Sequence, residues 1–521
     1  MDHIHGSADT TGLDRLPNLD TLVRQGLYRG GAGPRVGTLR GALGWEDLPY
    51  ELDMPDVPVT GRLPEWLSGS LLRTGPGKWD LGDEQLNHWW EGLTLLQRFT
   101  FQQGRVAYRC RFLDSPAYRS QRETGRVTWL SFATDPSAEL LRGEKTEFVP
   151  HPGNGNINIT RIGDAVVTLG EVEMAMTFDP ETLRATGWLD QNPDKSADQH
   201  QGERAHRMIT SHPQRDFDRK IQYNVHTLLS ADPRYEIVAT DYASGATSVV
   251  SSVPVQAGNP GYRHHFSLTE NYVVAMEYPL GVDMQAAAAG DKAFAACFRW
   301  DGAAATKIFI ISRADGTLVK TLETDGFFAN HHANAYETGD VIVMDVAAYD
   351  AAEHITDFYL DRRRRGAPLS VAQLRRYTLP LGTGTDVTCE VLSSQQVELP
   401  TYDYGRLNGR PYRFVYAAGM RQDLPEVAYN QIVKADVRSH VSLTWFEDGC
   451  FPGEPIFVPA PDGTDEDDGV LLTLVLDTAT HTSFLLVLHA KDLGEIARAQ
   501  LDTFIPYGLH GQYLGDHYSM L

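Results

Sequence analysis

Short apolar runs broken by Gly, Asp and Asn recur along the chain. Among them are AVVTL (165–169), YVVAMEY (272–278), KIFIISR (307–313), VIVMDVAAY (341–349), GVLLTLVLD (469–477) and SFLLVLHA (483–490). Runs this short, rich in β-branched and aromatic residues and bounded by turn residues, predict strands. The stretch 469–490 predicts a hairpin, with the polar turn TATHT between two runs. Helical patterns are few: a short one over 370–376, and one over 285–298 whose alanines favour helix. No run approaches the roughly 18 apolar residues that a membrane-spanning helix needs. So many short strands must close their sheets or repeat them radially, because open sheets would leave long exposed edges.

An internal echo favours radial repetition. NINITRIGDAVVTLGE (156–171), HHFSLTENYVVAMEY (264–278) and HHANAYETGDVIVMD (331–345) each pair a polar-tipped strand with an apolar one across a two-residue turn. The terminal HGQYLGD (510–516) reads as a truncated copy. The second and third copies stand 67 residues apart, and 521 residues accommodate about seven blades of ~70 residues. His264, His331 and His510 open copies of this unit, and His212 precedes the comparable turn DFDRK. Equivalent strand ends of a propeller converge on its axis, so these four imidazoles would meet there. A divalent metal relieves their mutual repulsion, since neutral imidazole is its commonest ligand. The alternative is a repeat that carries the same residue for packing alone. Glu171, Glu398 and Glu454 sit in apolar strand contexts, where a carboxylate is costly without a partner. They suit the N–H groups that metal-bound histidines turn outward, and otherwise they are solvated strand-end residues.

Composition narrows the function classes. The net charge of −23 argues against a nucleic-acid footprint and against strong attraction to anionic lipid. The four cysteines form no CxxC pattern, which predicts a reducing compartment and no thiolate metal site. The first twenty residues lack the basic-then-apolar layout of a secretory signal. A cytoplasmic location is expected.

Several segments together resemble the carotenoid cleavage oxygenases, the family of carotene central-cleavage enzymes and retinal-pigment isomerases. GSLLRTGPG (69–77) and HWWEGLTLLQRFTF (88–101) resemble its N-terminal block. SHPQRD (211–216), HHFSLTENYVV (264–274), HHANAYE (331–337) and YGLHG (507–511) resemble its four iron-histidine motifs. GEPIFVPAPDGTDEDDGVLL (453–472) and HAKDLGEIARAQL (489–501) resemble its C-terminal block. The resemblance runs from about Val57 to Asp516, in the family's order. Where two histidines adjoin, Phe266 selects His264 over His265, and Asn334 selects His331 over His332. His212 and His510 are unambiguous. The same matching puts the outer carboxylates at Glu171, Glu398 and Glu454 and leaves His212 without one. In one departure, the family's block often carries Asp where this chain has Glu91, before Gly92-Leu93.

The resemblance implies an all-β fold, a seven-bladed propeller with a helical and loop cap over the iron-bearing face. It would occupy residues 46–521, with 1–45 an arm or tail. Fe(II) on four imidazoles would keep positions open for O2 and water. Both oxygen atoms would add across one double bond of a carotenoid or apocarotenoid, through a dioxetane or related intermediate, and two aldehydes or ketones such as retinal would leave. Two other functions compete. One is cleavage of a stilbene or phenylpropenoid alkene. The other is a non-catalytic propeller scaffold, which predicts no bound iron. The aromatic blocks around Trp89, Trp90, Phe327 and Phe328 are candidates for the cap, with plain core packing as the alternative. The segment 280–300 is either a weak membrane-docking helix or a cap helix packed on the propeller.

Overall fold

The computed structural model describes residues 39–137, 152–193 and 206–515. Its strands form seven antiparallel sheets of four to six strands each, plus one two-stranded hairpin. Each sheet is a blade. The innermost strands are Gly511–Gly515, Asn158–Ile162, the pair His206–Ile209 and Gln214–Asp216, Ser267–Leu268, His332–Thr338, Glu398–Thr401, and the pair Cys450–Pro452 and Ile456–Pro459. Several neighbouring inner strands touch, as Gly511–Gly515 does Asn158–Ile162 and Ser267–Leu268 does His332–Thr338. The repeated hairpin is the first two strands of three blades, as in Asn158–Ile162 with Ala165–Leu169 and His332–Thr338 with Val341–Ala348.

Burial explains the strand texture. Blades pack face to face, so the middle strands lose both faces to the core. Val341–Ala348 and Gly469–Asp477 are buried almost throughout and therefore read as continuous apolar runs. Outer strands such as Thr247–Pro254 and Leu318–Thr324 lie on the rim and stay largely exposed.

The ring is closed from both ends of the chain. Gly511–Gly515 pairs with Gly69–Lys78 as the inner strand of the first blade, and Val59–Gly61 pairs with Glu495–Gln500 at the outer edge of the last. Closure of the ring joins the two ends of the chain and leaves only the outer strands at the rim as edges. Gly69 is required at this seam. Its φ is +131°, and a Cβ there would lie 2.5 Å from the Leu514 carbonyl oxygen.

Two helix expectations change. The stretch 370–376 is no helix: Gln373–Pro380 is a strand, laddered between Val341–Ala348 and Thr388–Gln396. Pairing on both sides overrides the local propensity. The helix expected over 285–298 is cut short. Met284–Ala289, capped by the Asp283 side chain, ends at Gly290 in the left-handed region, and a 3-10 turn follows at Phe294–Cys297. The helix Pro116–Thr124 went unread although its signals are present: Ser115 as N-cap, Pro116 at the first position and Gly125 as C-cap. Of the arm expected at 1–45, residues 1–38 lie outside the described residues, and Ala42–Trp45 is a buried 3-10 turn.

Candidate metal centre

Each of the four histidines precedes or interrupts an inner strand. His510 comes immediately before Gly511–Gly515, His331 immediately before His332–Thr338, and His264 three residues before Ser267–Leu268. His212 lies in the break between His206–Ile209 and Gln214–Asp216. Radial repetition therefore aims four side chains from distant parts of the chain at one point. All four are buried, and their ligand nitrogens lie within 4.8 Å of one another. The Nε2 atoms of His212 and His264 are 3.0 Å apart, and those of His331 and His510 are 3.1 Å apart.

The outward nitrogens fix the proton positions. His264 Nδ1 meets Glu171 at 2.6 Å, His331 Nδ1 meets Glu398 at 2.5 Å, and His510 Nδ1 meets Glu454 at 2.7 Å. A carboxylate only accepts, so in these three rings Nδ1 holds the proton and Nε2 presents a lone pair. The carboxylates are themselves anchored. The Tyr262 hydroxyl donates to both oxygens of Glu171. Glu398 accepts from the Tyr349 hydroxyl at 2.7 Å and from the Leu399 N–H at 2.8 Å. Glu454 accepts the Gly511 N–H at 2.8 Å. Burial alone would raise the Glu398 pKa, but His331, His354 and Tyr349 outweigh it and hold the carboxyl at about 2. Among the described residues no carboxylate reaches His212. Burial and the surrounding histidines push its pKa well below the usual range, so the ring is neutral.

This donor set fits a divalent transition-metal ion. The His331 and His510 lone pairs face each other at 3.1 Å with no proton between them, which is repulsive unless a cation intervenes. Two nitrogens so spaced, at right angles about a shared centre, sit about 2.2 Å from it, close to a metal–imidazole bond length.

The centre lies at the base of a cavity of about 470 Å³ lined by His264, His331 and His510 but not His212. Its walls are largely apolar and aromatic, including Trp90, Phe132, Met174, Tyr262 and Phe294. Trp90 lies parallel to the His264 ring, with centroids 6.4 Å apart. Of the four aromatic cap candidates, Trp89 and Trp90 line this cavity. Phe327 and Phe328 instead pack in the core, where Phe327 stacks on Tyr377 at 4.6 Å. The segment 280–300 is a cap element. Its ends pair as the hairpin Leu280–Val282 with Phe298–Trp300, and Ala287, Lys292, Phe294 and Cys297 line the cavity. No helix among the described residues is long and apolar enough to cross a membrane.

Some site residues escaped the sequence reading. Glu91, noted there only as a departure, is buried and accepts six hydrogen bonds. They come from the N–H groups of Asn87, His88, Ala133 and Thr134 and the hydroxyls of Ser131 and Thr134. It ties the Trp89–Trp90 turn to the cap loop. Tyr262 and Tyr349, which orient two of the carboxylates, were also missed. Tyr262 stands two residues before His264, and that was its only signal.

A family model described as retinal pigment epithelial membrane protein matches residues 45–515. Human beta,beta-carotene 15,15'-dioxygenase is 32% identical over 525 residues, covering 89% of this chain and 93% of that protein. The carotenoid isomerooxygenase of Galleria mellonella is 32% identical over 492 residues, covering 88% and 93%. Among solved structures, cobalt-substituted apocarotenoid oxygenase of Synechocystis matches with a TM-score of 0.79 at 26% identity, covering 91% of this chain and 98% of that one. The matched span takes in all seven blades and all four converging histidines, so the chain belongs to the retinal pigment epithelial membrane protein family, the carotenoid oxygenases that its motifs resemble.

Proposed function

We propose that His212, His264, His331 and His510 hold Fe(II), and that the protein uses O2 to cleave one C=C bond of a carotenoid or apocarotenoid into two carbonyl products. One observation carries the reading: three inward lone pairs, fixed by three carboxylates of which Glu398 and Glu454 are buried, open onto a large aromatic cavity. The named activities of the relatives support it. When bound, iron supplies the open coordination positions at which O2 is activated. The chain's own residues do the remainder. Glu171, Glu398 and Glu454 keep the Nδ1 protons of their partners in place, so these ligands stay neutral and correctly turned. Trp90, Phe132 and Phe294 give a polyene apolar surface to lie against and keep water from the reacting bond.

The test joins metal analysis to product identification. Wild type purified without oxygen is expected to hold one iron per chain, and His331→Ala is expected to lose it. Incubation with a C40 carotene or an apocarotenal is expected to yield two carbonyl fragments. Iron-free wild type under those conditions would remove the oxygenase reading in favour of a binding scaffold. Products from a hydroxystilbene alone would move the substrate to the phenylpropenoids.

A further inference from the structure

His212 is held differently from its three companions. It lines a second, smaller cavity of about 100 Å³ that His331 and His510 also border, and it does not line the aromatic one. Its ring lies against His265, with centroids 4.4 Å apart and planes inclined by 26°. His265 is buried and engaged at both nitrogens. Its Nδ1 accepts the His332 backbone N–H at 3.0 Å, and the end of the Gln214 side-chain amide lies 2.7 Å from its Nε2, a position at which the amide accepts the ring proton once its oxygen is the atom turned to the ring. A ring nitrogen that accepts carries no proton, so His265 is neutral, with its proton on Nε2. His332 is fixed in turn by the Ser267 hydroxyl at 2.7 Å and the Tyr278 hydroxyl at 3.0 Å, and its ring centroid lies 5.2 Å from that of His265. A second row of rings therefore runs from His332 through His265 onto His212. With both nitrogens occupied, His265 is not a ligand.

We propose that His265 is a positioning residue for His212, holding by a stacked ring what the carboxylates hold by hydrogen bonds in the other three. Offset stacking restricts rotation of the partner ring about its Cβ–Cγ bond while leaving Nε2 free to point inward. The proposal rests on the four-histidine metal reading above. It also explains why each of the doubled motifs His264-His265 and His331-His332 carries a second histidine: one is a ligand, the other a support.

The experiment uses the full chain and Co(II) alone as probe, with its dissociation constant measured against a competing chelator. His265→Ala is expected to weaken Co(II) binding about tenfold, the lower end of the range for groups that orient metal ligands. His265→Phe, which keeps a ring but neither hydrogen bond, is expected to stay within about threefold of wild type. In a His212→Ala background, His265→Ala is expected to add less than about twofold, because the ring it supports is gone; contacting residues are coupled in this way and independent ones are not. The proposal is overturned by wild-type affinity in His265→Ala, by a His265→Phe as weak as His265→Ala, or by an undiminished effect without His212. Co(II) binding that survives His331→Ala would instead sink the four-histidine reading, and this proposal with it.

Discussion

A neutral imidazole is a good metal ligand only while its lone pair points inward, and at three of the four histidines a carboxylate does the pointing. Glu398 is the clearest case. It is 2% exposed, accepts the hydrogen bond from His331 Nδ1 at 2.5 Å, and is itself held by Tyr349 and the Leu399 N–H. Glu398→Gln keeps the shape but replaces one acceptor oxygen with an N–H donor, which can face the His331 ring or turn away from it. Metal affinity is therefore expected to fall about 10–100-fold with the fold intact. Chelator competition on the variant checks this, and an unchanged dissociation constant would show that His331 is oriented by its backbone alone. The same reasoning ranks the ligands. His264, His331 and His510 are each fixed by an ion-assisted hydrogen bond, whereas His212 relies on packing.

Between the residue and the whole ring lie the elements that bring aromatic walls over the centre. Glu91 joins two of them, the Trp89–Trp90 turn and the loop at 131–134, through bonds spanning some forty residues of sequence. Glu91→Ala leaves buried backbone donors unpaired, each costing about 1–3 kcal/mol. The cap loop is expected to open locally, with faster amide exchange at 131–134 and at least about tenfold lower turnover. Metal content should not change, because none of the six donors belongs to the four histidines. Unaltered exchange and turnover would show that the cap is held by its aromatic contacts instead. This element also marks where sequence reading stops. Middle strands such as Val341–Ala348 were legible because both their faces are buried. Outer strands such as Thr247–Pro254 were not, because half-exposed polar residues carry no sheet signal. Most inner strands are short, and those that could be read, Asn158–Ile162, Ser267–Leu268 and His332–Thr338, were revealed by the repeated hairpin and by the histidines that open two of its copies. Glu171, Glu398 and Glu454 could be suspected from their apolar surroundings, but pairing each with its histidine depended on the family motifs. The six bonds of Glu91 link positions whose neighbourhood exists only after folding, so no local pattern announces them.

At the scale of the molecule, the metal centre and the closure of the ring are one device. The closing strand Gly511–Gly515 begins at the residue after His510, and its first N–H donates to Glu454, the carboxylate that holds His510. The other three ligands stand on three further blades. A bound ion therefore ties the seam of the first blade to blades on the opposite side of the axis. An ion that binds only the closed ring stabilises it by mass action, about 2.7 kcal/mol at a free concentration 100 times its dissociation constant. Fe(II) or Co(II) is expected to raise the unfolding temperature over chelator-treated protein and to slow amide exchange at 511–515. In His510→Ala both effects should vanish, while in Glu91→Ala the rise in unfolding temperature should persist, since that change touches the cap and not the seam. Stoichiometric metal with no change in unfolding temperature or in exchange at 511–515 would mean that the centre is a passenger on a ring already locked by its strands. The ring would then be held closed by the strand pairings alone, Gly69–Lys78 with Gly511–Gly515 and Val59–Gly61 with Glu495–Gln500.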